Sequence, residues 1–117
     1  QVLGGSGDFR DVPFAFDSDQ LDSAAMEAVR ANSAVLQSQA ERRVEVEGHC
    51  DERGTSEYNL ALGARRARAV KDAMVGMGIS ADRMSTVSYG EELPLCKEST
   101  ESCWATNRRS HFTDLSR

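Results

Sequence analysis

Val44-Glu45-Val46-Glu47-Gly48-His49-Cys50 alternates apolar or small residues with polar ones, the period of a strand with one dry face and one wet face. That alternation decides the fold class. A parallel sheet covered on both sides needs strands that are apolar throughout, so a wet face implies helices on one side only, in a two-layer sandwich.

Working outward, residues 12 to 16 predict a short strand with Phe14 and Phe16 on one face. Pro13 near its start suits a first or edge position, where a missing N–H costs nothing. Leu21, Ala25, Ala28, Val29, Val35 and Leu36 then recur at helical spacing, behind Asp17, Ser18, Asp19 and Asp22 as caps and first-turn carboxylates. Downstream, a second helix is predicted over about 56 to 77, with Thr55 or Ser56 as its cap and Gly76 or Gly78 as its stop. Weaker patterns over 84–89 and 108–113 complete the order βαβαββ. The expected architecture is α+β: a mixed sheet with two main helices on one face.

A chain of 117 residues fits one domain with a small core. Residues 1–8, rich in Gly and Ser, read as a flexible leader, and 9–117 as the domain. A net charge of −5 gives no electrostatic reason to bind nucleic acid. No apolar run approaches the length of a membrane span. Cys96 and Cys103 bracket a polar stretch, Lys97 to Ser102, that has no reason of its own to order. Joining them would restrict the unfolded chain by roughly 2–3 kcal/mol and would imply an oxidising space such as a bacterial periplasm.

The chemistry centres on the second helix. At about 100° per residue, Leu62, Ala69, Val70, Ala73 and Met77 fall within about 60° of Arg66, so its charge points at the protein body and calls for an anionic partner. Asn59 shares that face. Asp51 lies just beyond the strand predicted over Val44 to Cys50. Two readings follow: a plain buried Asp51–Arg66 ion pair, or a pocket mouth that binds a zwitterion, the arginine clamping a carboxylate and the aspartate accepting an ammonium. An amino acid is such a ligand.

Other constellations are weaker. His49, Cys50, Asp51 and Glu52 are metal ligands by type, but neighbours on a strand diverge, so no metal site is expected. For the same reason His49, on the wet face, points away from Cys50, which shares parity with Val44 and Val46 and reads as a buried small hydrophobe. Asn107-Arg108-Arg109 reads as solvated charge at a strand start. No catalytic residue and no cofactor are predicted, since no phosphate loop, paired-carboxylate acid–base site or serine elbow is visible.

Val46-Glu47-Gly48-His49-Cys50-Asp51-Glu52-Arg53-Gly54-Thr55, followed by Glu57-Tyr58-Asn59-Leu60-Ala61-Leu62-Gly63-Ala64-Arg65-Arg66-Ala67, resembles the signature of OmpA-like peptidoglycan-binding domains. Val87-Ser88-Tyr89-Gly90 and Asn107-Arg108-Arg109 extend the likeness over nearly the whole chain from Phe14. The Asp-Glu-Arg-Gly-Thr and Leu-Gly-x-Arg-Arg-Ala wording is most similar to the family's lipoprotein members, which serve the Tol system. Cys50, the cysteine-bracketed loop and Ser110-His111 depart from common family residues.

The resemblance implies a non-enzymatic domain that grips meso-diaminopimelate of the peptidoglycan stem peptide from the outer-membrane side. Matched by motif, Asp51 would hold the ligand's amino group and Arg66 its carboxylate. Asn59 and Leu62 would lie beside it on the helix, and Phe16 and Asp17 would close the pocket from the first strand's end. It further implies TolB and other Tol proteins as partners, and a lipid anchor outside this stretch that holds the domain at the periplasmic side of the outer membrane. A flagellar-stator domain, the C-terminal domain of an outer-membrane barrel and a pure Tol-interaction module are the alternatives. Loss of wall retention with an intact fold is the expected result of Ala at either Asp51 or Arg66.

Overall fold

The computed structural model describes residues 9–115, so the leader at 1–8 lies outside the described residues. Strand β2 (Val44–His49) buries Val44 and Val46 completely, while Glu45 and Glu47, which alternate with them, stay half-buried. It is a central strand. β3 (Met84–Gly90) runs parallel to it and β4 (Arg109–Asp114) antiparallel, with Val46 level with both Thr86 and Phe112. β1 (Val12–Pro13) pairs with β4 at the sheet edge, completing the order β1-β4-β2-β3. Pro13 therefore sits at an edge, as its missing donor requires.

Helix α1 (Ser23–Ser38) starts at Asp22, whose carboxylate accepts the Ala25 N–H at 2.9 Å. Helix α2 (Ser56–Gly76) starts at Thr55, whose hydroxyl accepts the Tyr58 N–H at 3.0 Å. Both helices face the same side of the sheet, and Val29, Leu36, Val70 and Met74 close one core with Val12, Val44, Val46 and Phe112. Among the described residues no helix is long and apolar enough to cross a membrane.

α2 comes unusually close to β2. A Cβ added to Gly48 would stand 1.7 Å from the Gly63 carbonyl oxygen, and one added to Gly63 would stand 2.3 Å from Ser88 Oγ. Two main chains touch here. The contact fixes the height of α2 over the strand and so the place of every side chain one turn either way.

Four expectations need correction, the first being that Asn107, Arg108 and Arg109, read as solvated charge, are buried at 3%, 7% and 6% exposure. The strand predicted over 12 to 16 stops early, because after Phe14, whose N–H still reaches the Arg108 carbonyl at 3.1 Å, the chain turns through Ala15 to Ser18. Phe14 enters the core at 4% exposure, whereas Phe16 swings out to 56% instead of sharing its face. The cysteine loop is not formless: the Cys96–Cys103 disulfide forms, and a third helix, α3 (Glu101–Asn107), begins at Thr100, whose hydroxyl accepts the Cys103 N–H. Asn107 secures it by accepting the Leu95 and Cys96 N–H groups and donating to the Cys96 carbonyl. Finally, His49 is on the open face by parity yet is only 1% exposed. Tyr89 stacks on its ring, Glu47 bonds its Nε2 at 2.8 Å, and Arg109 beside it is tied to the Leu93 carbonyl.

The two histidines on this face should titrate in opposite directions. Burial lowers the His49 pKa from 6.5, aided by the Arg109 charge and opposed by Glu47. The bond from Asp11 to His111 raises that ring's pKa above 6.5, against some desolvation. His111 therefore contributes stability that is complete below its unfolded value and is lost as pH rises through the folded one. For His49 the neutral ring is the favoured form, so stability falls as pH drops below the unfolded value. The chain has only these two histidines, and proton–carbon correlation spectra across pH 5–8 should resolve one midpoint on each side of 6.5. Asp11→Asn should bring the higher midpoint down and leave the lower one in place.

Candidate functional site

β2 ends at His49, where its register with β3 shifts, and the chain leaves the sheet through Cys50 and Asp51. α2 passes directly over this exit because Gly63 rests on Gly48. Asn59 is one turn before that contact and Leu62 and Arg66 flank it, so all three look down on the strand end. From the other side, the turn at residues 15–18 lies across them. Asp17 holds a left-handed backbone there, φ +55°, a conformation that aspartate tolerates better than most side chains.

Arg66 is 1% exposed, as the helical spacing predicted, but its partners are not carboxylates. Nε donates to the Ser18 carbonyl at 2.8 Å, Nη1 to that of His49 at 2.9 Å and Nη2 to that of Ala15 at 3.0 Å. The Phe14 ring lies 5.1 Å below the guanidinium. Three of five N–H groups are thus committed, leaving one on each terminal nitrogen. Burial pulls the guanidinium's pKa below its ordinary value, while Cys50 and Asp51 favour the charge.

Nor does Asp51 pair with Arg66. Its Oδ1 accepts the Arg53 backbone N–H at 3.0 Å and Arg53 Nε at 3.3 Å, and its Oδ2 accepts Arg53 Nη2 at 2.8 Å and Arg108 Nη1 at 3.4 Å. Burial pushes this carboxyl up, but the bonds from Arg53 and then Arg108 outweigh it and hold the pKa below the usual value. The simple Asp51–Arg66 ion pair is therefore not what this structure contains. Asn59 Nδ2 donates to Glu91 at 3.0 Å and reaches the Asp51 carbonyl at 3.5 Å. Tyr58 donates its hydroxyl to the Asp17 carboxylate, which raises the phenol's pKa. Cys50 is buried, as its parity with Val44 and Val46 implied, and donates to the Asn59 carbonyl at 3.2 Å.

All six residues singled out from the sequence, Phe16, Asp17, Asp51, Asn59, Leu62 and Arg66, line one cavity of about 200 Å³. That is smaller than the roughly 300 Å³ at which clefts for drug-sized molecules begin, and it matches a single amino-acid side chain better than a sugar. Arg53 and Tyr58 also line it and were not anticipated. A wider groove of about 690 Å³ follows the outer face of α2, but its charges already pair with each other, Arg65 with Asp19 and Arg68 with Asp72. The smaller cavity is different: it holds a buried anion and a buried cation that do not neutralise one another.

The OmpA family matches residues 13–108. A peptidoglycan-associated lipoprotein of Agrobacterium fabrum is 44% identical over 97 residues, which are 83% of this chain and 55% of that protein, so the chain spans about half the length of this curated relative. The crystal structure of the peptidoglycan-associated lipoprotein from Burkholderia pseudomallei superposes with a TM-score of 0.85 at 39% identity, covering 90% of this chain and 89% of that one. The C-terminal domain of Helicobacter pylori MotB gives the same TM-score at 19% identity, covering 93% and 86%, and shows the fold alone. With a family match over residues 13–108 and relatives 44% and 39% identical across most of its length, the chain belongs to the OmpA family.

Proposed function

We propose that this domain binds peptidoglycan, without catalysis, by taking the meso-diaminopimelate side chain of the stem peptide into the 200 Å³ cavity. The observation that carries this reading is a single small cavity lined by both Asp51 and Arg66, each buried and neither paired with the other. Such a cavity is complementary to a compact zwitterion. Asp51 receives the ammonium, the remaining N–H on each Arg66 terminal nitrogen receives the carboxylate, and Leu62 with the Phe16 ring contacts the methylenes between. Asn59 steadies the aspartate's backbone from α2 and Asp17 closes the rim through Tyr58.

Each charge-assisted bond nets roughly 1.5–3 kcal/mol and is partly screened at an open mouth, so a single contact is weak. A domain held beside a polymer with many copies of the ligand needs no more, because tethering supplies effective concentrations on the order of millimolar. In the same proposal, the domain anchors the outer membrane to the wall from its periplasmic side, with a lipid anchor in a segment outside this stretch, and TolB and other Tol proteins are its protein partners. The relatives' name, peptidoglycan-associated lipoprotein, supports the association with the wall and the lipid anchor. A stator or barrel-linked wall anchor would use the same cavity, and the segment that precedes Gln1 in the full gene separates these.

Asp51→Ala should abolish co-sedimentation with purified sacculi while far-UV circular dichroism stays as in the parent, since Arg108 keeps Glu101 and the Phe14 carbonyl as partners. Walls cross-linked through lysine lack the distal carboxylate and should be retained far less. Equal sedimentation with both wall types would remove the role assigned to Arg66.

A further inference from the structure

Asp51 has about four acceptor positions on its two oxygens, and four donors already fill them: Arg53 N, Nε and Nη2, and Arg108 Nη1. An ammonium can bond this carboxylate only if a donor gives way. The backbone N–H is fixed by the turn. Arg108 is also fixed, with its side chain 8% exposed, donating to the Phe14 carbonyl and bonded to Glu101. Only the Arg53 side chain, 31% exposed, is free to leave.

The Arg53 guanidinium is held from two sides. The Phe16 and Trp104 rings lie 4.0 Å away each, a cation–π clamp. Trp104 is itself braced: its indole N–H donates to Glu52 at 2.9 Å, Ser99 bonds the same Glu52 oxygen, and the neighbouring Cys103 is tied to Cys96. A landing place is close by as well, since Arg53 Nη2 is 3.9 Å from the exposed Glu101 carboxylate.

We propose that Arg53 is a built-in competitor for Asp51: its guanidinium takes the place that the ligand's ammonium would take, and binding exchanges one cation for the other while Arg53 moves toward Glu101. This rests on the wall-binding reading of the cavity. Affinity is then a difference between two cation–carboxylate contacts, set in part by the Phe16 and Trp104 clamp, which makes Arg53 and Trp104 determinants of ligand strength without being needed for the ligand to fit. The exchange leaves the charge around Asp51 unchanged, so Arg108 alone prevents an uncompensated anion when Arg53 is absent.

The test uses the tripeptide L-Ala-γ-D-Glu-meso-diaminopimelate and titration calorimetry on the parent, Arg53→Met and Arg53→Gln. Both variants should bind about tenfold more tightly, a gain of about 1.4 kcal/mol. Trp104 is the only tryptophan, so its emission reports departure of the guanidinium directly. Peptide should change that emission in the parent and not in Arg53→Met, and Asp51→Asn should produce the same change with no peptide added. Equal or weaker binding by both Arg53 variants, with the parent still binding, overturns the competitor and leaves the cavity reading standing. If parent and variants all fail to bind the tripeptide, the cavity reading itself falls and the competitor with it. If Asp51→Asn leaves the emission unmoved, the clamp holds Arg53 independently of Asp51, which also overturns the exchange.

Discussion

Alanine at Gly48 is expected to lower the melting temperature by about 10–20 °C, the equivalent of a ~3 kcal/mol loss in a domain of this size. The new methyl would overlap the Gly63 carbonyl at 1.7 Å, and neither atom belongs to a side chain that could turn away. Helix and strand must separate. Since Val70 and Met74 lie on the same helix and pack into the core, the separation opens contacts well beyond the point of collision. Gly76→Ala provides the control, because nothing stands within 4 Å of its added Cβ, and its melting temperature should hold or rise slightly. A Gly48→Ala protein that melts with the parent would show that the close approach is not a constraint.

Arg66→Met should be at least as damaging, and this revises the expectation that alanine here would disturb binding alone. Its guanidinium is the donor for three carbonyls, those of Ala15, Ser18 and His49, from two separate parts of the chain. Stranding the buried His49 acceptor and the part-buried Ala15 and Ser18 acceptors at roughly 1–3 kcal/mol each, with relief where the latter two reach water, predicts a loss of about 3–5 kcal/mol in urea unfolding. Retention on sacculi should vanish too. The informative comparison is Arg66→Lys, which keeps the charge but cannot span three acceptors in a plane, and should recover only part of the stability. Unfolding midpoints equal to the parent's would mean that the carbonyls find other partners and that the arginine is there for ligand alone.

The parts of the structure legible in the sequence were those set by periodicity. Alternation through Val44 to Cys50 identified the central strand, and the stripe around Arg66 identified the inward charge and one side of the buried face of α2, Leu62 and Val70, while Gly63, Ala67 and Met74 complete that face and Ala69, Ala73 and Met77 lie at its margin. The six cavity residues come together because a strand end, a helix face and one turn converge there; spacing pointed to Asp51, Asn59 and Arg66, and the family resemblance alone implied Phe16, Asp17 and Leu62. What escaped was set by contacts between distant segments. Nothing near Arg66 announces carbonyls 48 and 51 positions upstream, so a carboxylate seemed required. The exit of Phe16 follows from the turn at Asp17, and the burial of His49 follows from Tyr89 and the Leu93 carbonyl's hold on Arg109. α3 was missed because seven residues are too few for a pattern, although Thr100 three positions before Cys103 was an available cap signal.

The position of β2 between a parallel and an antiparallel neighbour has a mechanical side. A ligand bound to Asp51 as proposed would be attached two residues beyond His49, where that strand ends, and Arg66 grips the strand's last carbonyl. Tension arriving there runs lengthwise into the middle of the sheet, so the ladders on both flanks are loaded in shear and must rupture together rather than unzip bond by bond.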